Sequence, residues 1–263
     1  MKSNMRHSLT AVSLAALLIV VGCKTTSTPL AGKAIDSLTG MHDAAEARLS
    51  TAAANAIAEG KTDEALAFYK KLYEQNRSTQ DVALNYAQLL RKTGKAQEAL
   101  DVLTPFTQSR RGNLRDDIDP IVSNEYAAAN IETGNFEVAE TLLNHVLEDK
   151  NAAAFHADAF NLLGVVLDAK GQHKEAEQNF RQALDGWKGD STAVMNNLGL
   201  CLASEGLFDE SLATLRQALL KAPNKPEIAN NIQIVSDLRK SFIASKAATH
   251  SAKPAIKKKK KSM

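Results

Sequence analysis

Two cysteines, six histidines and a recurring asparagine are the residues of this chain whose chemistry and spacing bear on function. Cys23 closes an apolar run, and that position matters more than its thiol chemistry. Cys201 stands between Leu200 and Leu202 in a stretch with helical periodicity, where a thiol reads as a small packed hydrophobe. With only two cysteines, a disulfide scaffold is not in view. The histidines, His145, His156 and His173 among them, are scattered, and no HExxH, GxGxxG or GxxxxGK[ST] occurs. No metal, cofactor or catalytic constellation is therefore expected. What remains is Asn124, Asn161, Asn196 and Asn230, which follow one another at intervals of 37, 35 and 34 residues. A side-chain amide carries both donor and acceptor, so it can pair with a backbone amide. A column of such amides could hold an extended peptide without reading its sequence.

The first element is an address. Lys2 and Arg6 precede LTAVSLAALLIVV at residues 9–21, a run shorter than the ~20 residues needed to span a bilayer. It ends in Val20-Val21-Gly22-Cys23, which resembles the lipobox of bacterial lipoproteins. That resemblance implies that residues 1–22 are removed and that Cys23 carries a diacylglyceryl thioether and an amide-linked acyl chain. Two or more chains make membrane anchoring stable. Lys24, in place of Asp, implies the outer membrane, facing the periplasm. Residues 23–45 read as the lipidated cysteine and a tether.

The positioning elements repeat. Gly60, Gly94, Gly134, Gly171 and Gly206 lie 34, 40, 37 and 35 residues apart, each followed five residues later by Ala65, Ala99, Ala139, Ala176 or Ser211. Helical patterns flank every glycine, which predicts five helix-turn-helix units at 46–79, 80–113, 120–153, 157–190 and 192–225, with short insertions at 114–119 and 154–156. Small residues let paired helices approach, and glycine permits the left-handed turn between them. Ile228, Ile232, Val235 and Leu238 predict a capping helix over 226–243. Residues 244–263 are expected to be a disordered lysine-rich tail.

These units resemble the tetratricopeptide repeat, most clearly at Phe160, Leu163, Gly164, Leu167, Gly171, Ala176, Phe180 and Ala183. The resemblance implies an all-α solenoid in which the first helix of each unit lines a concave groove, and it places the asparagine series in that groove. Asn197, Asp158, Val165, Asp168 and Leu200 are the flanking candidates. Repeats that clamp a terminal carboxylate carry Lys and Arg at the positions held here by Asp81, Asp158 and Glu227, so the groove should prefer neutral or basic segments.

The formal charge of +2 hides an asymmetry. The body is acidic, while residues 246–263 carry seven Lys and no acid. Behind a secretion address, the run at 253–263 points to an anionic envelope surface or a solubilising role, and not to nucleic acid. Lipobox, tether and repeats together resemble the lipoproteins of tight-adherence (Tad/Flp) pilus systems and, more distantly, type IV pilus secretin pilotins. That resemblance implies a non-enzymatic scaffold that binds a secretin segment. A general envelope scaffold organising peptidoglycan or division enzymes is the alternative.

Overall fold

A computed structural model of the chain describes residues 42–75 and 79–251. Cys23, the tether up to residue 41 and the lysine run at 253–263 lie outside the described residues. Among the described residues the fold is eleven α-helices: α1 (His42–Ala58), α2 (Thr62–Gln75), α3 (Gln80–Lys92), α4 (Ala96–Thr107), α5 (Pro120–Glu132), α6 (Phe136–Glu148), α7 (His156–Ala169), α8 (His173–Gly186), α9 (Thr192–Ser204), α10 (Phe208–Lys221) and α11 (Pro226–Ser251). They form five antiparallel hairpins, α1/α2 to α9/α10, closed by α11 against α9 and α10.

Each hairpin turns on the expected glycine. Gly60, Gly94, Gly134, Gly171 and Gly206 all have φ between 72° and 81°. The residue after each of them donates its N–H to a carbonyl five residues back: Lys61 to Ala56, Lys95 to Leu90, Asn135 to Asn130, Gln172 to Leu167 and Leu207 to Leu202, at 2.8–2.9 Å. This is a Schellman closure, which satisfies carbonyls left open at the end of the first helix and aims the chain back along it.

The close approach within a hairpin is set where a small residue on the first helix meets a large one on the second. Ala53, Ala87 and Ala127 hold this position in the first three hairpins and are fully buried. Gly164 and Gly199 hold it in the last two. A methyl on Gly164 would come within 2.7 Å of the Phe180 ring, and one on Gly199 within 2.6 Å of Leu215 Cγ. Ser211 tightens the last hairpin by donating to the Gly199 carbonyl at 2.5 Å.

The largest fully buried side chains run from Leu72 through Leu90, Leu103, Leu143, Leu162, Phe180 and Leu202 to Leu215 and Ile228. The core is thus a stripe along the whole stack, because a single hairpin cannot bury its apolar face alone. Among the described residues one stretch, Lys150–Ala169, is long and apolar enough to cross a membrane by length and composition, and its α7 part packs against α5, α6, α8 and α9.

Two boundaries differ from the sequence expectation. The first helix begins at His42, so residues 42–45 belong to α1 and not to the tether. α11 continues to Ser251, so residues 244–251 are helix and not tail; the run from Ala244 to Ser251 holds no Pro or Gly to stop it. The insertions also have structure. Gln108 bridges to Leu114, Asp119 caps α5 by accepting from the Ile121 N–H at 3.0 Å, and Lys150–Phe155 forms a 3₁₀ turn leading into α7.

Candidate functional site

Consecutive first helices touch one another, α3 with α5, α5 with α7, α7 with α9 and α9 with α11, while consecutive second helices make no comparable contact among the described residues. The second helices therefore splay on the outside, and the first helices form the inner, concave face. Every candidate groove residue named from the sequence lies on this set of helices.

The asparagines do not form a uniform row of open amides. Asn161 is 2% exposed, and its Oδ1 accepts from Asn197 Nδ2 of the next hairpin at 3.1 Å. Asn196 repeats the arrangement one step on, accepting from Asn231 Nδ2 at 2.8 Å. Asn124 spends its Nδ2 on the Phe155 carbonyl at 3.1 Å. Only Asn230, on the capping helix, is exposed. The amides thus tie α7 to α9 and α9 to α11, and α5 to the residue before α7. The sequence reading had Asn197 as a flanking groove residue, and it overlooked Asn231. The doublets Asn196-Asn197 and Asn230-Asn231 were the available signal: adjacent residues whose partners lie one repeat away on opposite sides.

The remaining candidates divide by burial. Leu200 is buried, and Val165 is half-buried against the core. Asp168 meets His173 Nδ1 at 2.6 Å, at the turn into α8. Cys201 is fully buried and its Sγ donates to the His173 carbonyl at 3.2 Å. Burial first, then the Asp168 carboxylate, pushes this thiol well above its ordinary range, which is the environment of a packed residue and not of a nucleophile. Trp187 packs its ring on the core and donates Nε1–H to the Asp190 carbonyl at 3.0 Å.

The inner face is charged between α3 and α7. Arg91 is 3% exposed and Glu125 4%. They form a bidentate pair, Nε to Oε1 at 2.6 Å and Nη2 to Oε2 at 3.1 Å, and Arg91 Nη1 also reaches Glu132 at 2.9 Å. This network was missed in the sequence, where Arg91 and Glu125 read as ordinary charged helix positions. Burial pushes the Glu132 carboxyl up, against the lowering pull of Arg91. Asp158 stands half-buried beside Glu125 in the first turn of α7, with no hydrogen-bond donor or ion-pair partner among the described residues. Burial, and then the Glu125 charge, pushes its carboxyl up to about 6. Among the described residues no three His, Cys, Asp or Glu side chains converge as a metal site.

The hairpins, glycine turns and stacked first helices are those of a known repeat family. Tetratricopeptide-repeat signatures match residues 120–188, and in a second form residues 56–113 and 169–231. The chain belongs to the tetratricopeptide-repeat family. No curated protein sequence matches it. Among solved structures it is similar to a thermophilic tetratricopeptide-repeat protein of Thermus thermophilus (TM-score 0.59, 19% identity, covering 72% of this chain and 98% of that one). It is also similar to the apo form of RapI (TM-score 0.57, 12% identity, covering 79% and 83%). At these identities the likeness concerns the fold. Tetratricopeptide repeats are a protein-interaction scaffold, and that is the functional class of this chain.

Proposed function

We propose that this protein is a lipid-anchored envelope scaffold that holds an extended segment of a protein partner against its concave face. One observation carries the groove reading. The inner face retains a half-buried carboxylate with no donor from the described residues, Asp158, and a buried amide oxygen without a partner, that of Asn124, next to amides that are paired from hairpin to hairpin at Asn161 and Asn196. A buried acceptor left without a donor is costly, and a bound segment would supply one. Val165, half-buried on the same helix as Asp158, and the exposed amide of Asn230 two first helices further on suit an extended chain crossing the first helices.

The anchor rests on Val20-Val21-Gly22-Cys23 and the apolar run before it. Growth with a labelled fatty acid tests it: label should enter the protein and be lost in Cys23→Ala, and label persisting in that variant ends the reading. The partner proposed is the secretin of a pilus or secretion system, whose assembly or outer-membrane placement the scaffold would aid. In cells lacking this chain, secretin multimers should fall in amount or collect at the inner membrane. Normal multimers in the outer membrane would remove the secretin from the proposal. A photo-crosslinking residue at position 165 of the lipidated protein then reads the partner directly, and crosslinks confined to peptidoglycan or division enzymes would replace the secretin with those.

A further inference from the structure

The charged part of the inner face between α3 and α7 holds more carboxylates than cations. Arg91 supplies one positive charge to two carboxylates, Glu125 and Glu132. Asp158 adds a third carboxylate beside Glu125 and receives no donor of its own among the described residues. On the same seam, Asn124 is 7% exposed and its Oδ1 is buried without a partner. Its Nδ2 is held by the Phe155 carbonyl, one turn ahead of Asp158. The amide is therefore fixed at the N-terminal end of α7, with its oxygen left over between α5 and α7. A carboxylate and an amide oxygen on one seam call for a donor from outside, and the excess of negative charge calls for that donor to be a cation.

Resting on the groove reading above, we propose that the seam between α5 and α7 is a subsite for a lysine or arginine side chain of a partner protein's extended segment, received by Asp158 and the Asn124 amide oxygen. An organic cation fits better than a metal ion, because no third ligand converges there among the described residues. Geometry argues against the chain's own lysine run as occupant. The first helices all point the same way, so α11 carries the chain away from the Asp158 end over 26 residues, about 39 Å at 1.5 Å per residue. The 12 residues after Ser251 span at most about 40 Å when fully extended, and the subsite also lies two first helices to the side.

The test titrates the full lipidated protein in detergent with an acetylated, amidated serine-glycine heptapeptide bearing one central lysine, followed by fluorescence anisotropy. Matched peptides carry norleucine or N-acetyl-lysine at the centre. The lysine peptide should bind at least tenfold tighter than either, and Asp158→Asn should weaken it at least tenfold and erase the preference. Asn124→Ala should weaken it by a smaller factor, with the melting temperature confirming that both variants fold. If all three peptides bind alike, or if the lysine preference survives in Asp158→Asn, the cation subsite is wrong while the groove reading stands. If no peptide binds, subsite and groove reading fall together. If the lysine peptide binds only after residues 252–263 are deleted, the occupant is the chain's own tail, and the assignment to a partner is overturned.

Discussion

The junctions α3–α5–α7 and α7–α9–α11 solve the same packing problem with different chemistry. In the second, neutral amides pair, Asn161 with Asn197 and Asn196 with Asn231, and Gly164 and Gly199 let Phe180 and Leu215 seat against the first helices. In the first, a buried Arg91 clamps Glu125 and Glu132, alanines replace the glycines, and two acceptors remain open. A neutral amide pair satisfies itself and carries no field. A buried ion pair stabilises little net, because desolvation offsets the attraction, yet it cannot lose one member cheaply. The neutral junction is therefore built for stacking, and the charged one stacks while keeping unbalanced charge on the inner face.

The contrast is broken most severely at Arg91. Arg91→Met should cost about 3–5 kcal/mol in urea unfolding, because Glu125 loses its partner in a 4% exposed site. Arg91→Met combined with Glu125→Leu and Glu132→Leu should recover most of that loss, since an apolar replacement of a whole buried network is often neutral. A triple variant as unstable as the single one would mean that the network contributes much more than its own desolvation.

At the neutral junction the corresponding weak point is steric. Gly199→Ala places a methyl 2.6 Å from Leu215 Cγ, and Leu215 is fully buried. The expected loss is about 1–3 kcal/mol. Adding Leu215→Val, which removes one methylene, should return part of it; strict additivity of the two losses would show that the contact is not the cause. Below this comes Asn231→Ala, which strands the Asn196 amide oxygen in a 9% exposed site and should cost about 1–2 kcal/mol. That loss should be the same at pH 5 and pH 8, because neither amide titrates.

The two junctions were not equally legible in the sequence. The glycine turns were, since a positive φ is demanded by backbone geometry whatever the neighbours are, and all five interval glycines sit in the turns they predicted. The small residues five positions later were legible because they recur at a fixed distance from each glycine, and all five are fully buried. Asn161 and Asn196 were visible as a series, but their role was not. An amide that would meet a peptide and one that meets the next helix share a spacing of one repeat, and only the register between helices separates them. The Arg91–Glu125 clamp was harder still. Its members are 34 residues apart and hold different positions in their units, and neither breaks the apolar pattern of its own helix enough to announce burial. The helical residues 42–45 and 244–251 were missed because the apolar periodicity is weak there, although Gly40 and Pro254 stand just outside them.

The smallest expected effect reverses the sign of the others. Asp158 keeps its proton in the folded protein up to about pH 6, whereas its ordinary value is 3.8. Across that window the folded state binds the proton and the unfolded state has released it, so stability falls as pH rises from about 4 to about 6 and stays at the lower level above. Asp158→Asn removes the ionisation and should make the protein more stable at pH 7. The shift of about two pKa units sets a ceiling of about 3 kcal/mol, and partial solvent screening of a half-buried group reduces the expected gain to about 1 kcal/mol. The gain should vanish near pH 4, where the wild-type carboxyl is protonated as well. Paired urea titrations at pH 4 and pH 7 read the difference. A gain present equally at both values would trace to something other than the charge, and a loss at pH 7 would mean that Asp158 is already paired within the folded chain, which would close the charged junction and make it as self-satisfied as the neutral one.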